Sequence, residues 1–407
     1  MKIFFEDPRY RTAIRLGLVA LQIGGFLVVE SSTLAPTVTI IVGCAALFSL
    51  SVVIVGIGRM QLSTLVQWAA TCIPLTSWII LYNDENQNLG FGPVALVNLS
   101  ASIIEAGVIV FVCHVFVAAA DADRRLIATY STYFNQAWTL ATELLLAGAG
   151  ILMFWAIVFG CLWLFSVDEK RLSLATEVLF PASSLVAVTV LDALDRRPAV
   201  LVAARSFLIS SLSWTLPAVI LILFGGLVPT AIEQPKRLWH GDENSITFFL
   251  ASLVLITFIT ATFPHHGRKS DRLPFRFLLQ ARFAAVFLLP VAVALYAAIE
   301  MDAYLDKGWT PYGIINIATV AILGTYTFGY VGTALATGIA LRGLPAVNIV
   351  AALAGITLTL VSTTPLLDAN RLAVDYQLER LDSGQVAPDE FDYDMIDFDK
   401  TFADMAD

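Results

Sequence analysis

The sequence predicts an all-α fold: a polytopic membrane helix bundle with about eleven transmembrane helices and a short amphipathic C-terminal tail. Of the 407 residues, 58% have hydrophobic side chains and only 14% are charged. The mean hydropathy is +0.78. This composition lies far outside the range of soluble globular proteins. A helix needs about 20 apolar residues to cross the hydrocarbon core, and stretches of that length recur along the whole chain.

No long polar insertion separates these apolar stretches, so we expect one transmembrane helical domain at residues 1–366 and an acidic extracytoplasmic tail at 367–407. The predicted spans are residues 13–32, 37–58, 62–82, 93–119, 137–166, 175–193, 206–230, 246–263, 275–300, 311–338 and 346–366.

A capping motif supports the start of the tenth span. In "KGWTPYGI", Thr310 can cap a helix that begins at Pro311, where the missing N–H costs nothing.

Lysine and arginine are distributed unevenly between alternate loops. The N-terminal segment and every second loop after it contain sixteen of them, whereas the opposite loops contain only five. By the positive-inside rule the N-terminus is cytoplasmic, and an odd number of spans places the C-terminus outside. The sixth span, residues 175–193, is the weakest because it contains Glu177, Pro181 and Asp192. Without it the charge bias would disappear, which favours a crossing.

The net charge of −9 lies in the tail, where twelve acidic residues follow Leu367 against three basic ones. An acidic segment outside the membrane excludes nucleic acid as a partner. The sequence contains no Walker loop, GxSxG elbow, HExxH or glycine-rich dinucleotide turn, so we predict no catalytic residue, metal site or cofactor. Membrane lipids are the expected surroundings.

A short charged helix begins the tail. Asp368 is a plausible N-cap, apolar residues recur at helical spacing, and Gly384 supplies the usual left-handed stop. A second amphipathic element begins near Pro388 and includes Phe391 and Phe398. Both elements need an apolar surface. The protein's own membrane domain is the simplest candidate, and the membrane interface or a partner protein are the alternatives.

The tail segment "TPLLDANRLAVDYQLERLDSG" resembles the bacterial multi-pass membrane family known as domain of unknown function 4153. Members of this family carry a Leu-Asp-x-x-Arg-Leu/Ile-x-x-x-x-Gln-x-x-Arg-Leu pattern after the hydrophobic region, and "GWTP" at 308–311 is similar to another family element. The resemblance implies a bacterial cytoplasmic (inner) membrane protein, without an established activity to transfer. The matching residues, which we also predict to form a docking surface, are Asp368, Arg371, Leu372, Gln377, Arg380 and Leu381.

Glu105 is the acid in the membrane body that hydropathy does not explain. An ionisable group at mid-bilayer costs at least about 2.5 kcal/mol, so it should face protein or water. Asn98 and Ser102 precede it on nearly the same helix face. Polar stripes of this kind line ion or substrate paths, but they also hold helices together. Both interpretations stay open at this stage.

Three classes of function are compatible with this pattern. The first is a carrier of an ion or small molecule that uses Glu105. The second is a scaffold or sensor whose acidic tail engages a partner protein. The third, an enzyme acting on lipid-linked substrates, would need clustered charged groups at one membrane face, and the sequence presents no such cluster. We therefore favour the carrier, with the scaffold as the alternative.

Overall fold

The computed structural model of the protein describes residues 8–31, 35–87, 93–165, 169–233, 242–261 and 273–388. All regular elements in these ranges are helices, which confirms the predicted all-α fold. Contacts divide the chain into two compact units: residues 1–85 with 89–206, and residues 86–88 with 207–407.

Among the described residues, the N-terminal unit contains six helices, the third without its last two residues, and the start of a seventh. The second is a single helix with one π-helical turn at Ala45–Ser49. The helices are α1 (Pro8–Ser31), α2 (Pro36–Gly56), α3 (Leu62–Gln87), α4 (Pro93–Asp123), α5 (Tyr130–Leu164), α6 (Glu169–Arg196) and α7 (Pro198–Glu233).

The C-terminal unit contains the rest of α7 and five further helices. Thr310 caps the third of these: its side chain accepts a hydrogen bond from the Gly313 N–H, and Pro311 is the first helical residue, as predicted. These helices are α8 (Asp242–Ala261), α9 (Leu273–Lys307), α10 (Pro311–Thr337), α11 (Leu344–Ser362) and α12 (Ala369–Asp382).

Ten helices in the described ranges contain a stretch long and apolar enough to cross a membrane, and each coincides with a predicted span. The chain is therefore a multi-pass membrane protein. The remaining predicted span lies in α6, a continuous helix of 28 residues that does not reach this apolarity. Its last turns hold Asp192 and Asp195, which bind arginines. Its crossing stays a prediction.

Each unit has its own apolar core. In the N-terminal unit Val19, Ile54, Val188 and Leu191 join α1, α2 and α6. In the C-terminal unit a larger cluster is centred on α8, α9 and α10. Because both cores leave polar side chains between the helices, the contacts of those side chains decide where chemistry is possible.

Candidate functional site

Arg15 of α1 and Glu143 of α5, two charged residues of the N-terminal unit, are fully buried. Arg15 contacts two carboxylates of α6. Its Nη2 lies 2.6 Å from Oδ2 of Asp195, and its Nη1 lies 4.0 Å from Oδ1 of Asp192. Its Nε donates a hydrogen bond to the Ile54 carbonyl at 2.9 Å. Arg15 therefore joins α1 to α2 and α6.

A second arginine joins the same cluster from the loop between α2 and α3. Arg59 donates through Nη1 to Oε2 of Glu143 at 2.5 Å and through Nη2 to Oδ1 of Asp195. Glu143 is fully buried. Its other oxygen, Oε1, is buried without a hydrogen-bond partner among the described residues. Arg59 thus connects α5 to α6 and leaves Glu143 with unused acceptor capacity.

The exposed edge of the cluster is formed by Asp192, Arg196 and Thr12. Asp192 accepts from the Thr12 hydroxyl at 2.6 Å and from Nε of Arg196 at 2.7 Å. Arg196 also donates to the Thr12 oxygen at 2.9 Å. Three cations therefore face three carboxylates. We call this set the arginine–carboxylate network: Arg15, Arg59, Glu143, Asp192, Asp195 and Arg196.

The network favours the ionised forms of Asp195 and Arg59. Burial alone would raise the pKa of Asp195, but the charges and hydrogen bonds of Arg59 and Arg15 outweigh it and hold that pKa below its ordinary value of 3.8. Burial opposes the charge of Arg59 as well, yet Glu143 and Asp195 raise its pKa above the usual arginine range. Such ions are tolerated away from water only as mutual partners.

The sequence presented no cluster of charged groups, but the fold assembles one from residues of several helices. The network collects residues from α1, α5, α6 and the α2–α3 loop, which are far apart in sequence. One signal was available: Glu143 interrupts the apolar run "TLATELLLAGAG" in the fifth predicted span, and an acid in such a run is a functional candidate by default. The pairing itself could not be read from spacing.

Glu105 has a different environment, at the interface of α3 and α4. Asn83 of α3 donates from Nδ2 to Oε2 of Glu105 at 3.0 Å and to Oγ of Ser102 at 3.3 Å. Glu105 is half-buried and Ser102 is buried. Asn98 belongs to α4, but its side chain lies outside the described part of the structure. The structure thus joins Glu105 and Ser102 through Asn83.

The same helix pair has two further polar contacts. Trp68 of α3 donates from Nε1 to Nδ1 of His114 at 3.2 Å, and both side chains are buried. At the opposite end from Glu105, Asp121 accepts from Thr64 and Gln61 at 2.7 Å and 2.8 Å. Three polar contacts therefore run along one interface. The Glu105 contact lies at one end of this series, which joins α3 to α4.

The tail helix α12 packs on the protein's own membrane domain. Asp368 caps it by accepting from the N–H groups of Asn370 and Arg371, and Gly384 ends it at φ 71°, both as predicted. Nε2 of Gln377 donates to the carbonyls of Lys307 and Trp309 at 2.9 Å and 3.0 Å. The tail helix is thus hydrogen-bonded to the short turn between α9 and α10.

Arg380 reinforces this contact by donating to the Lys307 carbonyl at 2.8 Å. Gly308 lies under both side chains at φ 75°, and a Cβ there would lie 2.5 Å from Nη1 of Arg380. The two sequence elements that carry the family resemblance therefore contact each other. Of the other predicted docking residues, Arg371 and Leu372 are exposed, Leu381 is partly buried, and Phe391 and Phe398 lie outside the described residues.

Comparisons of the chain with protein-family models, curated proteins and solved structures find no match.

Proposed function

We propose that this protein is a carrier of an ion or small molecule in the bacterial cytoplasmic membrane, and that the arginine–carboxylate network lies on its path. The observation that carries the proposal is the full burial of Arg15 and Glu143 within apolar helices. Ionisable side chains in such positions are costly and mark ion paths and proton relays in membrane proteins.

Glu143 is the better candidate for the carrying carboxylate than Glu105. Glu105 accepts a hydrogen bond from Asn83 within a series of helix-joining contacts. Glu143 combines one strong contact to Arg59 with the buried, unpaired Oε1. A proton or cation bound at Oε1 would weaken the pair with Arg59 and thereby couple binding to helix position.

The lysine and arginine bias supports a cytoplasmic position for the network. Arg15 lies near the N-terminus and Arg59 in the first loop of the basic set, which the positive-inside rule assigns to the cytoplasm. The resemblance of the tail to domain of unknown function 4153 supports a bacterial inner membrane. In this orientation α12 lies on the extracytoplasmic side.

Reconstitution into liposomes tests the carrier proposal. Vesicles that contain a pH-sensitive dye and an imposed potassium gradient report proton flux after valinomycin is added. We expect flux with the wild-type protein, a loss of at least tenfold with Glu143→Gln, and partial retention with Glu143→Asp. Glu300→Gln, a buried glutamate of the C-terminal unit, is the matched control. Full flux in a Glu143→Gln protein that elutes normally from size exclusion would overturn the proposal.

A scaffold or sensor is the second candidate, and the exposed apolar residues of the tail favour it. Leu366 is 78% exposed, and Leu372 and Leu378 are each 39% exposed. A photo-crosslinker at Leu378 in intact cells should capture one protein reproducibly if the tail engages a partner. The buried Ala373 is the control position. Equal labelling at both positions would count against a partner.

A further inference from the structure

A small cavity lies beside the arginine–carboxylate network, within the N-terminal unit. It has about 20 Å³ of internal space and lies between the end of α2, α4 and α5. One water-sized particle needs roughly 10–15 Å³ of space for its centre, so the cavity can hold one. Apolar side chains such as Val55 and Leu140 form its walls, and its polar lining consists of Arg59, His114, Gln136 and Thr139.

The polar groups of this lining are hydrogen-bond donors. His114 accepts from Trp68 at Nδ1, so its neutral ring carries the proton on Nε2, which leaves that N–H for the cavity. Thr139 accepts from Arg205 at 3.2 Å, so its own hydroxyl proton is free to donate. The Gln136 amide makes no hydrogen bond with the described residues. Three neutral donors therefore accompany the guanidinium of Arg59.

Arg59 is the one charged side chain among the described residues that line the cavity. Glu143 and Asp195 bind the two terminal nitrogens of Arg59, and neither carboxylate belongs to the lining. Arg205 adds a second guanidinium one contact away, and its described partners are the neutral Asn135 and Thr139. The described lining thus holds one guanidinium and three neutral groups that can donate, and it holds no carboxylate, which favours an anion over a cation in this space.

We propose that this cavity binds a single chloride-sized monovalent anion, held by Arg59, His114, Gln136 and Thr139. The small volume of the cavity favours a monatomic ion over phosphate or a carboxylate. The inference deepens the carrier proposal, on which it rests for its physiological meaning, because the anion would be the carried or the coupled ion. Binding itself is measurable without transport.

Thermal unfolding of the full-length protein in detergent tests the site. Sodium chloride is compared with sodium gluconate at the same ionic strength, so that general screening cancels. We expect chloride and bromide to raise the unfolding midpoint of the wild type by a few degrees in a saturable manner. Gluconate, acetate and phosphate should give no saturable rise. No difference between chloride and gluconate, or an equal rise with acetate or phosphate, would overturn the proposal.

Variants assign the effect to the cavity. The double variant Gln136→Leu with Thr139→Val should lose the chloride-dependent rise. Thr142→Val is the matched control, since Thr142 lies on the same helix but donates to the Trp138 carbonyl outside the cavity. If the double variant does not fold, Ala118→Val narrows the cavity and should abolish the rise without removing a polar group. A chloride-dependent rise that survives in the tested cavity variant contradicts the site.

The two proposals fail in different ways. A saturable chloride effect on stability, together with no ion flux in liposomes, would leave the anion site in place and remove the carrier. Proton flux that depends on Glu143, together with no effect of chloride on the unfolding midpoint, would support the carrier and remove the anion site.

Discussion

Two buried glutamates, one in each unit, are held by different partners. In the N-terminal unit Glu143 is part of a set of full charges, since Arg15, Arg59 and Asp195 are ion-paired across helices with it or with one another. The C-terminal unit also buries a charge, Arg282, but its buried glutamate has neutral donors. This residue, Glu300, accepts from the Ser245 hydroxyl at 2.5 Å and from the Asn316 amide at 2.9 Å, so α8, α9 and α10 meet at one carboxyl group.

This difference teaches which contacts depend on one another. In the C-terminal unit each hydrogen bond stabilises by about 1 kcal/mol and can be replaced by a similar one. In the arginine–carboxylate network the loss of one ion removes a charged hydrogen bond, which costs about 1.5–3 kcal/mol. The network should therefore respond more strongly to a single substitution than the contacts of Glu300 do.

The largest expected effect comes from the same substitution in the two units. Glu143→Gln should destabilise the protein by about 1.5–3 kcal/mol, because Arg59 loses a charged hydrogen-bond partner but stays paired with Asp195 and partly exposed. Glu300→Gln should cost only about 1 kcal/mol, because glutamine can still bond Ser245 and Asn316. Thermal and denaturant unfolding in the same detergent measure both. Equal losses would remove the distinction between the units.

A second effect concerns acid. The pKa of Asp195 is below 3.8 in the folded protein because Arg59 and Arg15 outweigh its burial. The unfolded chain therefore binds the proton first, and stability from this residue is complete above about pH 5 and lost as the pH falls below 3.8. We expect the unfolding midpoint of Asp195→Asn to fall less than that of the wild type when the pH is lowered from about 6 to roughly 3. An unchanged acid profile in the variant would contradict the ion pairing.

A smaller effect tests the tail contact in the C-terminal unit. Gly308→Ala should weaken the docking of α12 by about 1–2 kcal/mol. Any residue other than glycine is strained at this left-handed φ, and the added Cβ would collide with Arg380. Gly384→Ala is the matched control: it has a similar φ of 71° but nothing within 4 Å of the added atom. Hydrogen exchange of residues 369–382 should rise more in the first variant than in the second.

The smallest effect is local to the tail helix. Asp368→Ala removes the N-cap that accepts from the Asn370 and Arg371 N–H groups, which costs about 1 kcal/mol of helix stability. Exchange should rise in the first turn of α12 while the unfolding midpoint of the whole protein stays the same. A large drop in that midpoint would mean that the tail helix is coupled to the membrane core.

The sequence by itself determined the membrane class, the all-α fold and the position of ten apolar helices, because hydropathy and helix length are properties of contiguous residues. It also determined the caps at Asp368 and Thr310 and the stop at Gly384, since capping depends on neighbours within one turn.

Only the tertiary structure decided which polar residues meet. Sequence patterns indicated Glu105, which lies within a polar stripe of its own helix, whereas the cluster around Arg15 and Glu143 forms between helices far apart in the chain. The tail contact of Gln377 with the 307–309 turn was likewise undetermined, because several surfaces could satisfy one amphipathic helix. Contacts between side chains of different helices depend on how the helices pack, and a single sequence does not show which helices are neighbours.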